Sequence, residues 1–305
     1  MTRYARRFRR IARSLSGVEL MDRPMDEALS FEDIDPTRKH DDRRFLDYYG
    51  EQGVKLALKR YGIFAVLERR GYGDFDLTIR NERDRHSLFL RAHAPGLSEP
   101  STLVELVVRR DLLVPDGSPA APGLAARLES LTVDWLSLRH PLARFDEGRP
   151  RLPGQDAPGL RIGERVMEML YRVVERLRLD TLATVPAYFH NAHLYARELP
   201  YLDPWYAGQL QALERLLLVE HELSLAQASW AIEWGLVSRE TDEPLQWRGQ
   251  LMLWPHDERL DRYFGSSPYR REVERVRDHL RHRLDRAAFD ARWAREAPTL
   301  IGGAR

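Results

Sequence analysis

The stretch Gly159-Leu160-Arg161-Ile162-Gly163 stands at the mouth of a strongly periodic apolar pattern. A helix N-terminus leaves backbone N–H groups unpaired and carries a partial positive charge, so it can hold phosphate oxygens without a dedicated side chain. A glycine turn lets that backbone approach a ligand closely. Two readings of the stretch follow: a cradle for a cofactor's phosphates, or a tight bend between two elements. Other spacings carry less chemistry. His190 and His193 are three apart, as are His279 and His282, and neither pair has a carboxylate at a spacing that completes a metal site. The chain has no Gly-x-x-x-x-Gly-Lys-Ser/Thr and no Gly-x-Ser-x-Gly.

The elements that must position this turn can be read from periodicity. Residues 43–71 give two consecutive helices, interrupted by Gly53 and Gly62 and ended by Gly71. The period then drops to two. The runs DFDLTIR, HSLFLRAH, STLVELVVRRDLLVP and ESLTVDWLSLRHP read as four strands of an antiparallel meander, the last with Leu131, Val133, Trp135 and Ser137 on one side. Ile162, Val166, Leu170, Val173 and Leu177 then mark a helix, DTLATVPAY a short strand and NAHLYAREL a short helix. A strand–helix–strand crossover after a meander implies a mixed sheet with helices packed on it, an α+β fold. Beyond Pro204 the sequence reads as mostly helical. Ser224 and Gly235 bound one helix, LQWRGQLMLWP is expected to be a strand, and a last helix runs from about Tyr269 to Trp293. Trp230 and Trp234, four apart, fit a core or a subunit contact.

Composition narrows the functions. The chain has 305 residues, 43% hydrophobic and 31% charged, with a net charge of +1, so no overall field draws it to nucleic acid or an anionic membrane. It has no cysteine, which excludes disulfides, thiolate metal sites and a cysteine nucleophile. No apolar run has the roughly 18 residues that span a bilayer, and the cytoplasm is the expected location. The N-terminal arm carries Tyr4, Phe8, Ile11 and Leu15 as one apolar stripe on a basic helix. It reads either as an arm for a membrane surface or nucleic acid, or, by preference, as a terminal helix docked on the protein's own core or on a partner subunit.

The order of strand, glycine turn, amphipathic helix, strand and a short helix with Asn and Tyr resembles the acyl-CoA-binding half of the GNAT superfamily of N-acetyltransferases. The resemblance implies a GNAT-like domain over residues 43–203, preceded by an arm and linker (1–42) and followed by a mostly helical extension (204–305). It implies acetyl-CoA, or another acyl-CoA, as co-substrate, no metal, and an amine acceptor that is a small molecule or a protein lysine. The pantetheine would lie along Trp135, Leu136 and Ser137. The pyrophosphate would sit on Gly159, Leu160, Arg161, Ile162, Gly163 and Glu164, with Asn191 on the following short helix. Tyr195 would protonate the leaving thiolate. Asp134, Glu105 and His190 are the base candidates, the two carboxylates standing on strands amid apolar residues where burial would raise their pKa. The sequence departs from the family pattern at Arg161, where a second glycine would fall, and in the length of the link between the fourth strand and the helix. The same fold without activity, as an acyl-CoA-binding or interaction module, is the alternative. A third is a scaffold using the basic arm on nucleic acid or membrane, which the charge balance does not favour. A homodimer through the C-terminal helices is a further expectation.

Overall fold

A computed structural model of the chain describes residues 3–22, 44–115, 124, 127–240 and 243–302. The acidic segment 23–43 and most of the Pro/Gly/Ala-rich loop, residues 116–123, lie outside the described residues. In chain order the helices and strands are α1 (Ala5–Ser14), α2 (Gly17–Leu20), α3 (Glu51–Arg60), α4 (Ile63–Glu68), β1 (Gly73–Glu82), β2 (Arg85–His93), β3 (Ser101–Leu113) and β4 (Leu128–Leu138). Then come α5 (Gly163–Leu177), β5 (Thr181–Thr184), α6 (Phe189–Tyr195), α7 (Pro204–Glu214) with a π-helical continuation over Arg215–Glu220, and α8 (Leu225–Glu233). The chain closes with β6 (Val237–Arg239), β7 (Met252–Leu253), α9 (Glu258–Phe264), α10 (Ser267–His279), β8 (His282–Leu284) and α11 (Arg286–Gly302).

The fold is α+β. A six-stranded mixed sheet runs in the order β1-β2-β3-β4-β5-β7 with one parallel pair, and β6 with β8 makes a separate two-stranded sheet. Contacts divide the chain into two compact units: Met1–Asp111, Leu131–His140 and Gly159–Leu179 form the first, and Leu112–Ser130, Pro141–Pro158 and Asp180–Arg305 the second.

In the first unit, the meander registers Leu77 opposite Leu90 and Ile79 opposite Leu88, and then Leu88 opposite Leu106 and Leu90 opposite Val104. These side chains form one apolar face, as the period-two pattern requires. With α3, α5 and the end of the arm, Leu88, Leu90, Val104 and Leu106 line an apolar cavity of about 110 Å³, whose wall also includes Leu15, Leu20, Ala57 and Ile162. The arm therefore packs on its own unit. Phe8 is fully buried against Tyr61, with ring centroids 4.6 Å apart. Arg176 of α5 donates to the carbonyls of Ala12 (2.6 Å) and Leu15 (3.1 Å), closing the end of α1. Asp22 caps α3 by accepting from Gln52 and Gly53, and Gly53 is glycine because a Cβ there would stand 2.2 Å from the carbonyl oxygen of Leu20. On α5, Glu168 and Arg172 are paired at 3.0 Å and both are almost wholly buried.

The second unit is tied together at Asp180, whose N–H donates to Glu129 while its carboxylate accepts from the Glu129 N–H. Ala183, Leu253, Leu260, Tyr263, Tyr269 and Val273 form its core. Trp230 and Trp234 pack 5.4 Å apart, Trp234 also meets Phe289 and Trp293, and Trp230 Nε1 donates to Arg151 O, so these rings serve the interior of the unit.

Three expectations need correction. The last helix is not continuous: Leu280 is extended and His282–Leu284 leaves to pair with Val237–Arg239, which splits it into α10 and α11. The strand expected in LQWRGQLMLWP is reduced to Met252–Leu253. On β4, Leu131 and Val133 are buried but Trp135 is 50% exposed, so the alternating pattern fades along the strand.

Candidate functional site

The turn before α5 is held from below. Leu160 and Ile162 are buried, at 0% and 1% exposure, and Arg161 projects into solvent between them. Arg161 has φ +48°, in the left-handed region where glycine is the ordinary occupant. The departure from the glycine pattern at this position is one of residue type and not of backbone conformation. Gly163 opens the helix, and a Cβ there would meet nothing within 4 Å. The first intrahelical bonds run from Arg165 and Val166 to Ile162 O, so the N–H groups of Gly163 and Glu164 stand ahead of them. The N-cap is Ile162, which offers no side-chain acceptor, whereas α2, α8, α9 and α10 begin on Ser or Asp caps. Cations gather here. The Arg70 guanidinium donates to Leu160 O, and its pKa is lowered by burial and then by Arg161 and Arg165. Arg165 lies over the Tyr4 ring at 4.7 Å, while Glu164 pairs in solvent with Arg3 at 2.9 Å.

β4 presents its backbone to this turn in part. Arg139 donates to Leu103 O (2.8 Å), so by strand alternation Ser137 and Trp135 also direct their backbone groups toward β3. Leu138 and Leu136 direct theirs to the other edge. There the chain's own Gly159–Leu160 segment pairs with β4, Leu160 N donating to Leu138 O at 3.1 Å. Of Trp135, Leu136 and Ser137, Leu136 alone has backbone groups on the edge away from β3.

The base candidates are arranged differently from expectation. Asp134 is not buried; Arg109 (3.2 Å) and Arg85 (3.4 Å) each take one of its oxygens, which makes it part of an ion-pair group on the sheet face. Glu105 is half-buried on β3 opposite Phe89.

His190, Asn191 and Tyr195 belong to the second unit, on α6. His190 is 4% exposed and stacks on Tyr188 at 5.5 Å; its Nδ1 has no hydrogen-bond partner among the described residues, and burial pushes its pKa down to about 4. It is a neutral imidazole at physiological pH. Asn191 is half-buried, its N–H bonded to Tyr188 O. Tyr195 is half-buried, and desolvation raises its pKa, which keeps the phenol protonated as a proton donor must be.

Sequence reasoning missed a second constellation in this unit. The end of α6, α7 and α10 enclose a groove of about 470 Å³. His193 Nδ1 meets Glu214 Oε1 at 2.7 Å on its wall. Beside this pair stands Tyr201, whose pKa burial and then the Glu214 carboxylate push upward. No local motif joins residues 193 and 214, so the only sequence signal was the His190/His193 spacing, which suggested a metal. Among the described residues no three of His, Cys, Asp and Glu gather as a metal site. No helix among them is long and apolar enough to cross a membrane.

Compared with known proteins, the chain matches no family model and no curated protein sequence.

Proposed function

We propose that this protein binds an acyl-CoA with its pyrophosphate on the Gly159–Glu164 turn and transfers the acyl group to an amine, in the manner of a GNAT-like N-acyltransferase. One observation carries the reading. The uncapped N-terminus of α5 opens on a left-handed Arg161 and a Gly163 with open space before it, and Arg70 and Arg165 stand beside it. An anion at that point would accept from amides that no side chain caps and would meet guanidinium charge. The mixed sheet, with its single parallel pair, is consistent with the fold of the resembling family and supports the same reading. In the reaction the amine nitrogen attacks the thioester carbonyl, the C–S bond breaks, the nitrogen gives its proton to a base, for which Glu105 is the proposed acceptor, and the departing thiolate is protonated by solvent.

Asp134's engagement by two arginines favours a second reading, in which the chain binds acyl-CoA without transferring it. Calorimetric titration of acetyl-CoA and CoA, with Gly163→Trp as a blocked turn, tests the binding. The added indole would occupy the space before the turn without displacing protein atoms at its Cβ. Micromolar binding abolished by Gly163→Trp is the expected result; no binding to folded protein removes both readings. Loss of acyl transfer in Glu105→Gln with CoA binding kept would select the enzyme over the module.

A further inference from the structure

The groove of the second unit is not used by the acyl-CoA reading, and its chemistry is its own. Its volume of about 470 Å³ lies in the range of small-molecule sites. Its floor is apolar: Leu210 and Val273 are buried, as are the rings of Tyr201 and Tyr269, and the Tyr269 hydroxyl is already spent on Tyr201 O at 2.6 Å. Its charges are unequal. Glu214 is taken by His193, and Arg277 by Asp278 at 2.8 Å. Arg197, one helical turn beyond His193, and Arg270 on α10 form no ion pair among the described residues, and Glu274 alone opposes them.

His193 adds direction. With Glu214 accepting from Nδ1–H, Nε2 is the ring nitrogen left to hydrogen-bond a ligand. A ligand with a hydroxyl would find a partner there, and its anionic group would find Arg197 and Arg270.

We propose that this groove binds a small organic carboxylate with a flat apolar body and a hydroxyl group. Arg197 and Arg270 take the carboxylate, Leu210 and Val273 the body, and His193 the hydroxyl. The proposal stands whether or not acyl-CoA binds at the Gly159 turn.

Calorimetry of the full chain with 4-hydroxyphenylacetate, phenylacetate and 4-hydroxyphenylacetamide tests it. The expected result is one saturable site for 4-hydroxyphenylacetate, at least tenfold weaker for the uncharged amide. The Arg197→Ala/Arg270→Ala double variant, whose two positions are exposed and whose folding circular dichroism would verify, should lose at least tenfold. His193→Phe should erase the advantage of the hydroxylated acid over phenylacetate while leaving the acid–amide difference. Equal binding of acid and amide, unchanged affinity in the double variant, or no saturable binding up to about 1 mM overturns the proposal.

Discussion

The turn before α5 and the groove beside α6 are built on opposite plans. The turn is made of backbone: two buried aliphatic residues pin it, and what it offers a ligand is N–H groups and one exposed guanidinium. The groove is made of side chains brought from residues 193, 214 and 270 by three separate helices. A backbone site depends on the packing beneath it and little on the residues it displays. A side-chain site depends on each residue it displays.

That contrast can be attacked first at the support of the turn. Arg172 lies within α5, 5% exposed, between Glu168 and Glu175. Arg172→Met removes the guanidinium that faces the buried Glu168 carboxylate, and the expected cost is about 3–5 kcal/mol in urea unfolding. Pairing it with Glu168→Leu should recover most of that loss, because two apolar residues leave no uncompensated charge. Failure of the double variant to recover would mean that the ion pair also fixes the course of the helix.

A second attack uses pH on the other unit. His190 is neutral in the folded protein because burial holds its pKa down to about 4, against 6.5 in the unfolded chain. Its contribution is therefore complete above pH 6.5 and is lost as the pH falls toward 4, where the unfolded state takes up a proton that the folded state refuses. The expected loss is about 3 kcal/mol. The difference in unfolding free energy between the wild type and His190→Phe, followed from pH 7 to 4, should show this slope in the wild type alone.

The smallest effect sharpens the comparison most. Arg161→Gly removes a side chain from a left-handed position and should stabilise the protein by about 1 kcal/mol. If the backbone carries the phosphate interaction, acetyl-CoA affinity in this variant should change by no more than about tenfold, the low end of what one charged hydrogen bond contributes. A larger loss would make the turn a side-chain site after all.

The same contrast explains what was legible in the sequence. The meander and α5 were, because Leu77 and Ile79 at period two register with Leu90 and Leu88 on one face, and Val166, Leu170 and Val173 at helical spacing line one apolar cavity. The turn was legible as a glycine pattern with a defect at 161, but a φ angle is not written in a residue type. The break between α10 and α11 was hidden, since Leu280 and Leu284 fit helical spacing equally well. What draws His282–Leu284 out is pairing with residues 237–239, far away in sequence. Trp135 was read inward because alternation cannot report where a strand's cover ends. The groove left no local trace: His193 and Glu214 become neighbours only when α6 meets α7.

The apolar cavity lined by β2, β3, α3 and α5 has a mechanical consequence. A void lined by Leu15, Leu88, Leu106 and Ile162 offers water few polar partners and yields to compression. Its 110 Å³ corresponds to roughly 65 mL/mol, comparable with the whole volume change that accompanies unfolding of many small proteins. Hydrostatic pressure favours the state that eliminates this volume, and Ala57→Leu, by filling it, should make the first unit stiffer under load.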